Sequence, residues 1–315
     1  MKPLNNETIK TSVLIITRNR SKMLEGCLES LVKQTRMPDE LIVVDNASTD
    51  NTKRVVLSFN KKLPVKYVQE KQIGIPYARN KGIKTARGTI ILMLDDDCVA
   101  DKFWVEKMIN AHKKYPKAWV IQGRTYSLPP KKICSVLAEY HRSFHFRNSI
   151  KNPLPMRIFF SKGLRDEVEL LTCNTQNFSI KALYLKKHKL LFDENFYRGS
   201  DTDFGKQIMQ KNGLIMFCPG IQIYHWERCT LNQFLEQRWH TGRTTAKISY
   251  KWKTSTFAEN MLSPRMPFAL LLFCRASNQL TNLPILLVLL FLDRLYRLNG
   301  YFYQKRLLSL EKPKV

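Results

Sequence analysis

Residues 88–98 read GTIILMLDDDC. Gly88 breaks a helical pattern, and Thr89–Leu94 follows as an unbroken apolar run. Such a run predicts a strand buried on both faces. It stops at three adjacent carboxylates, Asp95, Asp96 and Asp97. Charges crowded at the end of a buried strand repel one another and cost stability unless a cation compensates. Oxygen ligands of this kind suit Mg2+ or Mn2+, held jointly with substrate phosphates. The plainer role is a solvated turn before a helix near Phe103, and Asp101 is better placed for that cap.

The same grammar runs upstream. Val13–Thr17 (VLIIT), Leu41–Val44 (LIVV) and Val65–Gln69 read as further strands. Helical spacing separates them: Leu24, Cys27, Leu28 and Leu31 after a cap at Ser21, then Val55, Val56 and Phe59 after the loop NASTDNT, then Tyr77–Ala86. Strands alternating with helices predict an α/β protein whose mostly parallel sheet is covered on both faces. Ligands of such sheets bind beyond the carboxyl ends of the strands. Thr17, Arg18 and Asn19 follow the first strand, Asp45 the second and Asp95 the fourth. Each alone has an ordinary role in a turn or cap. Together they line a crevice suited to a nucleotide. Arg79 lies in GIPYARNKG (residues 74–82), near a helix start where it can meet a diphosphate. The alternative for Arg79 is a solvated helix face.

Downstream the signals are weaker. Residues 124–172 are basic and aromatic, without clear periodicity. Thr175–Ile180 predicts a strand, Ser200–Asn212 a helix stopped by Gly213, and Ile215–His225 one or two short strands around Pro219 and Gly220. Asp201 and Asp203 fall in the first turn of a helix, where acids favour the dipole, and Ser200 with Asp203 resembles a capping box. His225 is a lone histidine at a strand end, a position usually packed or exposed. Thr230 and Gln233 form a capping box for another helix. Two apolar runs follow, Pro267–Cys274 and Leu283–Leu292. Each is shorter than the ~20 residues that a spanning helix needs. They predict helices lying in a membrane surface or, alternatively, packed into the protein.

The 315 residues carry 52 Lys+Arg against 26 Asp+Glu, a formal net charge of +26. That excess favours phosphates, nucleic acid or an acidic membrane surface. No zinc-finger spacing and no aromatic RNA-recognition motif supports nucleic acid, which is not expected as a partner. A hydrophobic share of 44% excludes a largely disordered chain. Seven Cys include no CxxC pair, so free thiols in a reducing compartment are expected. The start, MKPLNNETIK, lacks the apolar stretch of a secretory signal peptide. The expected place is cytoplasmic, peripheral on the inner face of a membrane.

In order, VLIITRNR, VVDNASTDNT, GIPYARNKGIKTARGTIILMLDDDC, NFSIK, FDENFYRGSDTDFGKQI and YHW resemble the family 2 inverting glycosyltransferases of the GT-A fold. The resemblance covers about residues 10–245. It implies a catalytic domain over residues 1–228, with a nucleotide half of about 1–123 and an acceptor half of about 124–228. A helical, membrane-associating region over 229–315 completes the expected organisation. Thr17 and Asp45 match positions that contact the nucleoside, and Arg79 matches one near the base and phosphates. Asp95 and Asp97 match the DxD pair, with Asp97 nearest the metal, and His225 matches a histidine that supports metal or diphosphate. Asp201 matches the general base, while Ser200 stands where the family usually has Glu. The expected donor set is therefore Thr17, Arg18, Asn19, Asp45, Arg79, Asp95 and Asp96. The expected Mg2+ or Mn2+ set is Asp97, Asp95 and His225. Gln237-Arg238-Trp239 resembles the QxxRW signature of processive synthases, but Leu235 occupies the place of its Gln. Processivity is not implied. The implied partners are a nucleotide-diphosphate sugar, a glycan or lipid-linked acceptor and an anionic membrane, as in polysaccharide or lipopolysaccharide synthesis. Two other readings are a nucleotidyltransferase and a non-catalytic membrane-bound scaffold. The intact acids at 95, 97 and 201 speak against the scaffold.

Overall fold

In a computed structural model, the run before the three aspartates is strand β4 (Ile90–Leu94), with every residue buried. The structure describes residues 9–128, 132–162, 164–196, 198–227, 230–254 and 265–310. β1 (Thr11–Thr17) pairs parallel with β4, β2 (Glu40–Asp45) with β1, and β3 (Val65–Gln69) with β2. The connecting helices are α1 (Ser21–Val32), α2 (Thr52–Ser58) and α3 (Ile75–Thr85). Leu24, Cys27, Leu28 and Leu31 of α1 are buried in the same apolar cluster as Val13, Ile15, Leu41, Val43, Leu92 and Leu94. This is the covered parallel sheet expected from the apolar runs.

Past β4 the sheet becomes mixed. β8 (Asn177–Lys181) pairs antiparallel with β4, and β6 (Ala118–Ser127) antiparallel with β8. β9 (Leu214–His225) runs parallel to β6. Short β5 (Cys98–Ala100) and β7 (Val168–Leu170) pair antiparallel with opposite ends of β9. The order is β3-β2-β1-β4-β8-β6-β9-β5, with β7 beside β9. β9 is one strand, and its register with β6 shifts at Gly123/Arg124, which absorbs Pro219 and Gly220. Two helices complete this part, α4 (Trp104–Lys114) and α8 (Ser200–Gln210), with short α7 (Ala182–Lys187) after β8.

Two expected caps are corrected. Ser21 is the first helical residue and Arg20 occupies the cap position without a side-chain bond. Asp50 Oδ2 instead accepts the Ser21 N–H at 3.1 Å. At α8 the cap position is Gly199, in the left-handed region at φ 75, with no side-chain cap. Asp203 instead accepts from Gln207 one turn on, at 2.8 Å.

The chain divides into two compact units. The first comprises Met1–Leu128, Ser149–Asn152 and Arg165–Trp226 and holds the whole sheet. The second comprises Pro129–Asn148, Pro153–Leu164 and Glu227–Val315. It contains α5 (Ile133–Ser149) up to Asn148, α6 (Met156–Lys162), α9 (Leu231–Trp252), α10 (Arg265–Ala276) and α11 (Leu283–Leu310). The capping box of Thr230 and Gln233 opens α9 as expected. α9 and α11 cross with their backbones close together. A Cβ on Gly242 would lie 2.0 Å from Arg297 O, and one on Gly300 2.1 Å from Trp239 O. Among the described residues no helix is long and apolar enough to cross a membrane. The six described cysteines are free and buried, and Cys229 lies outside the described residues.

Candidate active site

Strand ends bring the candidate residues together in the first unit. The turn after β1 is tied to the turn after β2. Asn19, at φ 52, accepts the Thr49 N–H at 2.7 Å and donates its own N–H to Ser48 Oγ at 3.0 Å. Asn readily adopts the left-handed region through such local bonds. Arg18 beside it is exposed. Asp45 is 2% exposed and uses both oxygens, accepting from Ser48 N at 2.9 Å and Tyr67 Oη at 2.6 Å. Burial and then the Asp45 contact hold the Tyr67 hydroxyl above its ordinary pKa. Asn46 carries the order onward, accepting from Gly74 N at 2.7 Å and donating to Gln72 O at 2.7 Å. It thereby fixes the start of α3, the helix that bears Arg79.

The three aspartates after β4 have different surroundings. Asp96 is 3% exposed, accepting from Thr17 Oγ1 at 2.8 Å and from Arg20 Nη1 at 2.9 Å. Arg20 also reaches Asp97 Oδ2 at 3.1 Å. Burial raises the Asp96 pKa more than Arg20 lowers it. Asp95 faces Arg79, with Nη2 3.7 Å from Oδ1. Burial pushes Asp95 up to about 6, with Arg79 opposing and Asp97 and Asp96 adding to the rise. The protein thus supplies two guanidiniums against three carboxylates. Part of the compensation expected from a metal comes from Arg20 and Arg79.

What remains is the outer side of Asp97. Its Oδ1 lies 3.3 Å from His225 Nε2 and 4.0 Å from Cys98 Sγ. Cys98 and His225 are direct partners across the β5–β9 ladder, which turns both side chains to one face. Ligand atoms of Asp97, Cys98 and His225 all lie within 4.8 Å of one another, the one such trio found among the described residues. Carboxylate and imidazole fit Mn2+ or Mg2+ completed by phosphate oxygens. Burial, then Asp95 and Asp97, hold the Cys98 thiol far above its ordinary pKa. Asp97 and His225 offer an oxygen and a nitrogen donor to such a cation, with the Cys98 thiol beside them.

Arg79 links this strand end to α8. It is 8% exposed and stacks over the Phe192 ring at 5.1 Å. Its Nη1 donates to Ser200 Oγ at 3.3 Å, while Nη2 faces Asp95. Ser200, standing where the family usually has Glu, is an acceptor for this arginine. Asp201 follows at the half-buried first turn of α8, accepting from Thr202 N at 2.9 Å. Its charge reaches inward to Cys173, whose thiol is raised by burial first and by Asp201 second. Close packing holds Arg79 in place: a Cβ on Gly82 would meet Leu14 Cδ1 at 2.1 Å, and Asn80 bonds Phe192 in both directions at 2.8 and 2.9 Å.

Arg20, Tyr67 and Cys98 also join this site, though no motif marked them. Arg20 had a signal, a second arginine directly after a strand-end turn. The cross-strand meeting of Cys98 with His225 had none, because it depends on the register of β5 with β9.

The profile of Glycosyl transferase family 2 matches residues 12–170, just over half of the chain. The chain belongs to that family. Chondroitin synthase of Pasteurella multocida (strain Pm70) is 28% identical over 250 residues, covering 72% of this chain and 26% of that protein. Validoxylamine A glucosyltransferase of Streptomyces hygroscopicus subsp. limoneus is 35% identical over 124 residues, 38% of this chain and 27% of its own length. The chain thus spans about a quarter of the length of these curated relatives. Among solved structures, mannosyltransferase PcManGT from Pyrobaculum calidifontis, in complex with GDP-Man and Mn2+, superposes with a TM-score of 0.62 at 17% identity. That match covers 99% of this chain and 90% of the other. S. aureus TarS in complex with UDP-GlcNAc gives 0.55 at 18% identity, covering 96% and 92%. These likenesses show the fold, the GT-A arrangement expected from the motifs.

Proposed function

We propose that this chain moves a hexosyl group from a nucleotide-diphosphate sugar to an acceptor hydroxyl, with inversion. The observation that carries the reading is Arg79, which spans Asp95 and Ser200 and so brings the acidic strand end beside the start of α8. In this reading the nucleoside lies over Thr17, Arg18, Asn19 and Asp45, with Asp95 and Asp96 beneath the donor. Asp97 and His225, with Asp95 behind them, would hold Mg2+ or Mn2+, which supplies positive charge to the leaving diphosphate. Arg79 offers a fixed guanidinium to the same charge. Asp201 takes the proton of the acceptor hydroxyl. The acceptor oxygen bonds the anomeric carbon as the bond to the diphosphate oxygen breaks, and a nucleoside diphosphate leaves. One displacement inverts the centre. The acceptor is a glycan or lipid-linked sugar of a cell-surface polysaccharide or lipopolysaccharide, met at the cytoplasmic face of a membrane.

The test is a panel of nucleotide sugars incubated with the chain and Mn2+. One donor is expected to raise the melting temperature and to release nucleoside diphosphate, with release lost and the rise in melting temperature diminished on chelation. Release of pyrophosphate from a nucleoside triphosphate and a sugar 1-phosphate, with no nucleoside diphosphate from any nucleotide sugar, would instead make the chain a nucleotidyltransferase.

A further inference from the structure

The two C-terminal apolar runs form helices with unlike sides. On α10, Met266, Ala269, Leu270, Phe273 and Cys274 are buried, whereas Phe268 is 57% exposed and Leu271 is 41% exposed. On α11, Leu286, Leu289 and Leu290 are buried, whereas Ile285, Val288, Phe291 and Leu295 are exposed, Val288 by 59% and Phe291 by 60%. Spacings of three and four residues place these four on one stripe. Packing into the protein accounts for the inner sides alone. An outer side this rich in large apolar groups marks an interaction surface.

Charge selects the occupant. The sole acidic residue between Arg265 and Leu310 is Asp293. It is 1% exposed and faces Arg297 Nε at 2.9 Å and Arg238 Nε at 3.7 Å. Arg265, Arg275, Lys305 and Arg306 are exposed. Every exposed charged residue carried by these two helices is therefore a cation. A second copy would set these cations against their own kind. An anionic bilayer complements both the stripe and these cations.

We propose that the outer sides of α10 and α11 dock flat on an anionic lipid surface. Phe268, Val288 and Phe291 enter the acyl boundary, and Arg275, Lys305 and Arg306 meet the lipid phosphates. The inference rests on the membrane location proposed above and is independent of the sugar chemistry. It is tested by co-sedimenting the full chain with phosphatidylcholine vesicles, with and without phosphatidylglycerol, at low salt. The chain is expected to sediment with the anionic vesicles alone. The pair Val288→Ser and Phe291→Ser keeps the charge and both changes are at exposed positions. It should weaken vesicle binding by about tenfold or more while the melting temperature and its rise with donor stay unchanged. The pair Lys305→Ser and Arg306→Ser should flatten the salt dependence. Wild-type protein left in the supernatant would overturn the proposal. So would undiminished binding by the serine pair, or a wild-type dimer that this pair splits into monomers. Failure of donor stabilisation in wild type, with vesicle binding intact, would count against the catalytic reading alone.

Discussion

Three adjacent aspartates do three different things. Asp96 is satisfied inside the protein by Thr17 and Arg20, Asp95 faces Arg79, and Asp97 opens toward His225. Their substitutions should therefore separate. Asp97→Ala should weaken donor binding by about tenfold or more when Mn2+ is present and leave metal-free binding unchanged, as read by calorimetric titration. Asp96→Ala should chiefly cost stability, on the order of 1–3 kcal/mol in chemical denaturation, because Thr17 and Arg20 lose a buried partner. Protonation supplies another test. His112 is 1% exposed beside Ser179 Oγ at 2.9 Å, and burial, then Lys181, lowers its pKa from 6.5 to about 3. His141, 2% exposed, is also held well below its ordinary value by burial, then by Arg297. Between those values the unfolded chain binds protons that the folded one refuses, so stability is full above pH 6.5 and falls as pH drops toward 3. His112→Gln should shallow that slope in denaturation curves taken across the window. An unchanged slope would place the acid sensitivity elsewhere.

At the level of elements, the strands and helices of the first hundred residues were legible because their apolar residues fall on short continuous runs and clean helical spacings. Val65–Gln69 coincides with β3, and Thr89–Leu94 differs from β4 by one residue. The cap at Ser21 failed because the Met23 and Leu24 N–H groups both donate to Arg20 O at 3.0 Å, which draws Ser21 into the helix, while Asp50, distant in sequence, takes the Ser21 N–H. The helix Ile133–Ser149 was missed for a different reason. Its buried side carries Tyr140, His141 and Phe144 beside Val136 and Leu137. Histidine and tyrosine blur the apolar period, and the buried polar group becomes tolerable through partners elsewhere, such as Tyr140 Oη donating to Met266 O at 2.6 Å. The crossing of α9 and α11 was equally hidden, since two glycines matter only when two helices meet. Gly300→Val should force those backbones apart. Overpacking costs roughly 1–3 kcal/mol in a core and more against a rigid backbone, so a clear drop in melting temperature is expected. A variant as stable as wild type would show that the crossing is loose.

Over the whole molecule, the motifs made the GT-A fold and the clustering of polar residues at the strand ends legible from sequence, while the grouping of residues 129–148 and 153–164 with the C-terminal helices was not. That grouping is set by tertiary contacts of aromatic residues, such as Tyr140 with Phe160 and Phe273, which have no local pattern. The +26 charge is consistent with both an anionic donor and an anionic surface, and only the placement of the cations divides the two roles. Arg20 and Arg79 pair with the strand-end aspartates, and Arg275, Lys305 and Arg306 are exposed on the two apolar helices. In the proposed reaction Asp201 is the base of a sugar transfer carried out beside the acidic strand end. The most direct measurement compares wild type with Asp201→Asn for nucleoside diphosphate release, with donor-induced stabilisation followed on the same samples. Stabilisation is expected to be unchanged and turnover lower by ~10²–10⁴-fold in Asp201→Asn. Turnover at the wild-type rate, with the donor bound equally well, would contradict this role and leave Asp201 as a helix-start acid.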